Sequence, residues 1–168
     1  MSRFESMGRI DLVWLRKWVN FMLRSKLLDW IRITAGEAAW APSLVFLVHA
    51  VASLGFQAYQ RFPPLDIPMH FLGGFVICYF FHRSSVNASA VGLLGPFHPV
   101  THVVLVFSLV ATTTIFWEFA EFTSDRFFGT HAQVDLADTL LDMFLGIFGG
   151  IVFLISHHLL ARGGSRNA

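Results

Sequence analysis

The chain has 168 residues, of which 55% are hydrophobic and 14% are charged, and its formal net charge is +1. Soluble domains carry about 25% charged residues, so this composition excludes an ordinary soluble domain and predicts a single compact integral membrane domain. The near-neutral charge gives no reason to expect a nucleic-acid partner, because such partners attract strongly basic surfaces.

The first predicted element is an amphipathic helix over residues 9–24. Its polar sector holds Arg9, Arg16, Lys17, Asn20 and Arg24, and its apolar sector holds Ile10, Trp14, Trp18, Phe21 and Met22. A basic face opposite large apolar side chains is typical of a helix that lies in the headgroup plane. We therefore predict that residues 1–37 form a basic cytoplasmic or interfacial segment; the alternative is a cytoplasmic helix packed on the rest of the protein. No cleavable signal peptide is expected, because a charged segment precedes the first long apolar stretch.

Residues 38–161 are predicted to form a transmembrane domain of four spans. The first span, 38–60, has no charged residue and is long enough to cross a bilayer. Three prolines in the turn 61–68 end it, because proline cannot continue a helix. The second span is predicted over 67–82.

The uncharged stretch 84–117 is about 50 Å long as a straight helix, which exceeds the bilayer, so it must break. Glycines and prolines at 92–99 mark the break. The third and fourth spans are then predicted over 100–122 and 134–160, followed by a cytoplasmic tail over 162–168. The predicted fold class is all-α: a polytopic membrane helical bundle of about four transmembrane helices plus the N-terminal amphipathic helix.

Basic residues orient this bundle. Seven lysines and arginines precede the first span, whereas the two loops on the opposite side hold only Arg61 and Arg126. Lysine and arginine are enriched in cytoplasmic segments, so both termini are predicted to be cytoplasmic in a bacterial inner membrane.

Seven of the eleven acidic residues lie near the predicted ends of spans: Asp66, Glu118, Glu121, Asp125, Asp135, Asp138 and Asp142. Six of them form two triplets with i, i+3, i+7 spacing, which places each triplet on one helix face. In the predicted orientation all seven meet at the non-cytoplasmic face. Because an ionised carboxylate in a membrane span costs roughly 2.5–3.5 kcal/mol, these acids need partners.

Glycines continue two of the acidic stripes into the membrane. Gly73 and Gly74 follow His70 in span two, and Gly146, Gly149 and Gly150 follow Asp142 in span four. Small residues let membrane helices approach closely, so spans two and four are predicted to pack along these glycines. That packing brings His70 near Asp138 and Asp142.

A divalent metal site is the first interpretation of this cluster, because carboxylates with an imidazole suit Mg²⁺, Mn²⁺ or Zn²⁺. The candidate ligands are His70, Glu118, Glu121, Asp138 and Asp142, and His70 and Glu118 are also the candidate catalytic residues. The alternatives are proton or ion handling, and a structural network in which Asp135 and Asp138 favour a helix N-terminus and Arg126 pairs with an acid.

His49 is predicted to be a hydrogen-bonded core residue. Five further histidines are predicted to lie at the cytoplasmic end: His82, His98, His102, His157 and His158.

Three blocks of sequence carry a resemblance to a known family. They are Asp-Ile-Pro-Met-His-Phe-Leu-Gly-Gly-Phe at 66–75, Trp-Glu-Phe-Ala-Glu-Phe at 117–122, and the segment 129–142 that contains Asp135, Asp138 and Asp142. With these blocks, residues 40–160 resemble the YjdF-like family of small bacterial inner-membrane proteins, which is distantly similar to the VanZ-like proteins. The resemblance implies a polytopic inner-membrane protein and names no reaction.

The functional prediction is a metal-dependent enzyme that acts on a lipid or lipid-linked substrate, although the sequence leaves open whether the chain is an enzyme. The alternatives are a non-enzymatic accessory subunit, a small proton- or ion-coupled transport component, and a lipid-sensing anchor based on the N-terminal helix. Membrane lipids are the expected partners, and a homo-oligomer or a membrane-protein partner stays open.

Overall fold

The computed structural model describes residues 12–164, so Arg9 and Ile10 of the predicted amphipathic helix lie outside the described residues, as does most of the predicted tail. The helices are α1 (Leu12–Ala38), α2 (Trp40–Ala50), α3 (Ala58–Arg61), α4 (Asp66–Ala90), α5 (Pro99–Phe128) and α6 (Leu136–Gly164). A π-helical turn over Val51–Gly55 and a 3₁₀ turn over Pro63–Leu65 flank α3. The described part of the chain contains no strand, which confirms the all-α fold.

Three helices, α4, α5 and α6, are long and apolar enough to cross a membrane. The α1–α2 pair meets the same test as one bent unit, so the bundle has three or four membrane-spanning helices. Large apolar side chains cover its outer surfaces, as lipid contact requires; Phe116, Phe119 and Leu159 are each about 60% exposed. The predicted bundle of about four transmembrane helices is confirmed.

The first span, predicted over 38–60, is divided between α2, the π-helical turn and α3, and a bend separates it from α1. Helices α1 and α2 meet at a bend of 58°. Pro42 lies in the first turn of α2, where its ring clashes with the carbonyl of Ala38 in any continuous helix, and it has no N–H to donate. At the other end of α2, Gln57 adopts the left-handed conformation with φ 49°, which separates the π-helical turn from α3.

Helix α4 runs eight residues past the predicted end at His82. Contacts with the last turns of α1 account for the extension. Arg83 pairs with Glu37, Asn87 donates to the Glu37 carboxylate at 3.2 Å, and the Trp30 indole N–H donates to the Ser84 carbonyl at 2.9 Å. The C-terminal half of α1 therefore packs on the protein, and the headgroup position of its N-terminal half stays a prediction.

Helices α4 and α6 form the most extensive helix pair in the bundle. Glycine makes their close approach possible, because a Cβ on Gly74 would lie 1.8 Å from the Gly146 carbonyl oxygen, and one on Gly149 would lie 2.1 Å from the Phe71 carbonyl oxygen. The predicted packing of spans two and four along their glycines is confirmed. We call this contact the glycine seam, formed by Gly74, Gly146 and Gly149.

Helix α5 completes the core by packing against both α4 and α6. Its Thr114 and Val110 side chains fill the space above Gly146 and Gly150. Towards the far end of the bundle, Val106 and Val110 pack with Cys78 and Phe153. The Cys78 thiol is fully buried.

Candidate functional site

One end of the bundle gathers acidic side chains from three helices. Asp66 opens α4 directly after the 3₁₀ turn, and His70 follows one helical turn later. Glu118 and Glu121 lie near the end of α5, and Asp142 lies in the second turn of α6. The glycine seam holds α4 and α6 together just inside this end, which brings their polar residues side by side.

His70 lies at the centre of the cluster. Its Nε2 atom is 3.3 Å from Asp66 Oδ1 and 3.7 Å from Asp142 Oδ1. On the other side of the ring, Nδ1 is 3.9 Å from Glu118 Oε1. One imidazole therefore faces carboxylates from α4, α5 and α6.

The cluster is buried to different depths. Glu118 and Asp142 are each 4% exposed, whereas the Asp66 side chain is 24% exposed. Between residues 12 and 164, every ion pair formed by these three acids involves His70, and Arg61 and Arg126 pair with none of them. A buried carboxylate needs a compensating charge or a proton, so the local excess of negative charge favours a bound cation or a shared proton.

Two groups of side chains in the described residues have the spacing that a metal ion requires. They are Asp66, His70 and Asp142, and His70, Glu118 and Glu121; within each group the ligand atoms lie within 4.8 Å of one another. Both groups share His70, and four of their five members were predicted as ligands. Asp66 was counted among the acids but not chosen, although its spacing four residues before His70 placed both on one helix face.

Supporting hydrogen bonds orient the two glutamates. The Trp117 indole N–H donates to Glu121 Oε1 at 2.9 Å. The Gln133 amide donates to Glu118 Oε2 at 3.3 Å and to the Glu118 carbonyl at 3.1 Å. Gln133 was missed in the sequence, because it lies in a loop whose path depends on tertiary contacts.

Asp125 organises that loop rather than joining the cluster. Its carboxylate accepts from the Thr130 hydroxyl at 2.5 Å, from the Ala132 N–H at 2.9 Å and from the Gln133 N–H at 2.9 Å. Gly129 ends α5 in the left-handed conformation with φ 67°, which turns the chain back towards Asp125. These contacts give Asp125 a structural role in the loop between α5 and α6.

Asp125→Ala is expected to loosen the α5–α6 loop and release Gln133 from Glu118. Three hydrogen bonds to one carboxylate are lost, so the free energy of unfolding should fall by about 1–3 kcal/mol. Thermal unfolding in detergent measures the loss, and Asp125→Asn, which keeps an acceptor oxygen, should lose less. Equal stability of Asp125→Ala and the wild-type protein would contradict this role.

Asp135 and Asp138 lie at the N-terminus of α6. Asp135 Oδ1 accepts from the Asp138 N–H at 3.0 Å, and Asp138 Oδ2 accepts from the Val134 N–H at 3.3 Å. These are helix-capping contacts, which the structural alternative anticipated. Asp138 belongs to neither group with metal-like spacing, and its role as a ligand stays a prediction.

His49 and Tyr59 form a pair beside the cluster. His49 Nδ1 and the Tyr59 hydroxyl oxygen are 2.7 Å apart, and the His49 ring meets the Trp117 ring edge-on with centroids 5.2 Å apart. The prediction that His49 is hydrogen-bonded is confirmed. Burial, together with the nearby carboxylates of Asp66 and Glu121, raises the pKa of Tyr59 to about 12, so its phenol stays neutral at physiological pH.

His82, His98, His102, His157 and His158 lie at the far end of the bundle. His82 contacts His102 and His157, with ring centroids 5.0 Å and 4.2 Å apart. His102 Nε2 is 2.6 Å from the Ser85 hydroxyl. His98 accepts from the Val100 N–H at the start of α5. They lie at the end opposite the acidic cluster, as predicted, and which side of the membrane that end faces stays a prediction.

Two cavities flank the cluster. The first has a volume of about 350 Å³ and is lined by residues of α2, α4 and α5, with His70 and Gly146 in its wall. The second is a more open cleft of about 760 Å³ between α5 and α6, with Glu118, Asp125 and Gln133 among its lining residues. His70 and Glu118 therefore lie where the two cavities approach each other.

An all-helical bundle with apolar spans and a buried carboxylate–histidine cluster places this chain among the multi-pass membrane proteins. The chain belongs to the family described as predicted membrane protein (DUF2238), whose model matches residues 23–163. It is similar to an uncharacterized protein of Thermotoga maritima, with 33% identity over 108 residues that cover 64% of this chain and 54% of that protein. The chain thus spans about half the length of the curated relative that it matches. No solved structure matches it.

Proposed function

We propose that this chain binds a divalent metal ion at the His70 cluster and uses it to act on a lipid or lipid-linked substrate. The observation that carries the proposal is the position of His70, one imidazole within 3.3–3.9 Å of carboxylates from three helices. We further propose a bacterial inner-membrane location with cytoplasmic termini and the cluster at the non-cytoplasmic face. The distribution of basic residues and the resemblance to YjdF-like and VanZ-like proteins support that location.

Asp66, His70 and Asp142 are the better of the two ligand sets. Atoms bound about 2.1 Å from a metal lie about 3.0–3.4 Å apart in octahedral or tetrahedral geometry. The 3.3 Å and 3.7 Å separations around His70 Nε2 are close to that range, whereas the 3.9 Å separation at Nδ1 is longer. The carboxylates favour Mg²⁺ or Mn²⁺, and the imidazole admits Zn²⁺.

Glu118 then has a positioning role. A metal-bound histidine donates its other ring N–H to a carboxylate, which fixes the orientation of the ring. Glu118 Oε1 faces His70 Nδ1 at 3.9 Å, so an approach of about 1 Å would form that hydrogen bond. The Gln133 amide holds Glu118 from the opposite side.

Three protein ligands leave coordination positions for water and substrate. A metal in such a site lowers the pKa of bound water and polarises a phosphoryl or acyl oxygen. Asp66, the most exposed of the three, marks the side from which water would enter. The reaction class that fits is metal-assisted hydrolysis or transfer at a lipid head group.

The test is the metal content of the purified protein, measured by mass spectrometry before and after refilling with Mn²⁺ or Zn²⁺. We expect near-stoichiometric metal in the wild-type protein and its loss in Asp66→Asn and Asp142→Asn. Asp29→Asn removes the same charge from an exposed position on α1 and should keep its metal. A wild-type protein that stays empty after refilling would contradict the proposal.

Proton handling is the second candidate function. Glu118 and Asp142 are both buried and share His70 as an ion-pair partner, so a proton could move between carboxylates without a metal. Proton uptake by vesicles containing the protein, unaffected by chelator and lost in Glu118→Gln, would favour this function over the metal site.

A further inference from the structure

We propose that the 350 Å³ cavity beside His70 holds one acyl chain of a membrane lipid and places the head group of that lipid at the carboxylate–histidine cluster. This inference rests on the proposed function and names its substrate class: a lipid whose reacting group lies close to a long acyl chain.

The lining of the cavity fits a hydrocarbon chain. Most of its wall is aliphatic or aromatic, contributed by Pro42, Val45, Phe46, Met69, Val76 and Ile77. Its volume lies at the low end of the range of about 300–1,000 Å³ found for small-ligand pockets. That is room for one chain rather than for a whole two-chain lipid.

The cavity is elongated along α4. Its lining on this helix extends from Met69 to Ile77, which is about 12 Å of helix at 1.5 Å per residue. His70 forms the wall at one end, and the aliphatic side chains of Val76 and Ile77 lie at the other. An acyl chain in this space therefore points from the cluster into the apolar middle of the bundle.

Three of the polar side chains in the wall have partners already. The Thr113 hydroxyl donates to the Leu109 carbonyl, and the Thr114 hydroxyl donates to the Ala111 carbonyl, both at 2.8 Å. His49 is paired with Tyr59. An apolar guest therefore leaves these groups satisfied, whereas a polar guest would have to compete for them.

Gly73 supplies the width of the cavity. A Cβ on Gly73 would meet no atom within 4 Å, in contrast to its neighbour Gly74, whose Cβ would strike Gly146. Gly74 is therefore a packing glycine, and Gly73 faces open space inside the bundle.

The cavity reaches the surface of the bundle between α2 and α5. Phe46 lines it and is 57% exposed. The Phe46 ring meets the Trp117 ring edge-on, with centroids 6.0 Å apart. A chain that enters from the surrounding lipid would have to part this ring contact.

Trp117 provides the assay, because it lines the cavity. The probe is a lysophospholipid with a brominated acyl chain, titrated in detergent with chelator present. Bromine quenches tryptophan fluorescence on contact, and the Trp117 signal is the difference between the wild-type protein and Trp117→Phe. We expect saturable quenching of that signal.

Gly73→Leu should raise the half-saturating probe concentration about tenfold or more, since its side chain fills the space that the acyl chain needs. Gly36→Leu is the matched control, because a Cβ at Gly36, on exposed α1, also meets no atom within 4 Å. Ser43→Phe fills the cavity from α2 and serves as the second blocking variant if Gly73→Leu does not fold. Quenching unchanged in the folded blocking variants, or not saturable in the wild-type protein, would overturn the inference.

The chelator separates this inference from the metal site. Saturable quenching by a protein that never binds metal would support the acyl-chain site and contradict the proposed metal function. Metal binding without saturable quenching would overturn the acyl-chain site and leave the metal function in place.

Discussion

Replacing His70 by alanine is expected to abolish metal binding, which is the largest functional effect that we predict for this chain. His70 is the residue shared by both groups with metal-like spacing, so its removal leaves neither group with three ligands. Metal content after refilling with Mn²⁺ or Zn²⁺ measures the effect. Stoichiometric metal in the His70→Ala variant would contradict the proposed metal site.

Glu118→Gln should give a smaller loss that identifies its role. As a carboxylate that orients a metal-bound histidine, Glu118 is expected to contribute about 10–100-fold in metal affinity, whereas a direct ligand contributes most of the binding. Dissociation constants from competition with a chelator distinguish the two cases. Complete loss of metal in Glu118→Gln would instead make Glu118 a ligand.

The measurement of metal content in His70→Ala needs a folding control. His70→Ala removes the ion-pair partner of two buried carboxylates, and an uncompensated buried charge destabilises a protein. Size-exclusion chromatography and thermal unfolding in detergent show whether the variant stays folded. His70→Asn, which keeps hydrogen-bonding groups near the carboxylates, should fold better than His70→Ala.

Gly74→Ala is expected to destabilise the bundle strongly. The added Cβ would lie 1.8 Å from the Gly146 carbonyl oxygen, and backbone atoms of α6 would have to move to relieve the clash. Overpacking of this kind costs about 1–3 kcal/mol or more. Thermal unfolding in detergent should report it, at roughly 2–4 °C per kcal/mol for a chain of this length.

The adjacent residue is the control for that prediction. Gly73→Ala has the same chemistry in the same helix, but its Cβ meets no atom within 4 Å. Alanine favours a helix over glycine by about 1 kcal/mol, so Gly73→Ala should be neutral or slightly stabilising. Equal destabilisation by the two substitutions would mean that the glycine seam does not carry the α4–α6 contact.

The packing of α4 on α6 was predictable from sequence because the helical repeat places the polar residues and the glycines of each helix on one face. Glycines at Gly74 and Gly146 continue the faces that begin with His70 and Asp142, so the helical repeat alone aligns spans two and four. The approach of His70 to Asp142 follows from that alignment.

Other features depend on contacts between distant segments and were not predictable. The sequence marks Gly73 and Gly74 alike, and only the position of α6 makes one a packing glycine and the other part of a cavity wall. The extension of α4 beyond Arg83 depends in the same way on Glu37, which lies 46 residues earlier.

The bend before α2 was only partly predictable from sequence. Pro42 was visible in the sequence, and its steric conflict with the carbonyl of Ala38 is local. The absence of charged residues over 38–60 predicts a span there, but it does not predict the bend at the start of that span. Composition set the length of the apolar segment, whereas the backbone chemistry of one residue set its direction.

The glycine seam also makes one part of the cluster stiffer than the other. Asp66, His70 and Asp142 lie on two helices in direct backbone contact, so their relative positions are stiff. Glu118 and Glu121 lie on α5, which meets α6 through the side chains of Thr114 and Val110 and is therefore free to shift by small changes of rotamer. Adjustment to an incoming molecule is thus expected from α5, while α4 and α6 keep their positions relative to each other.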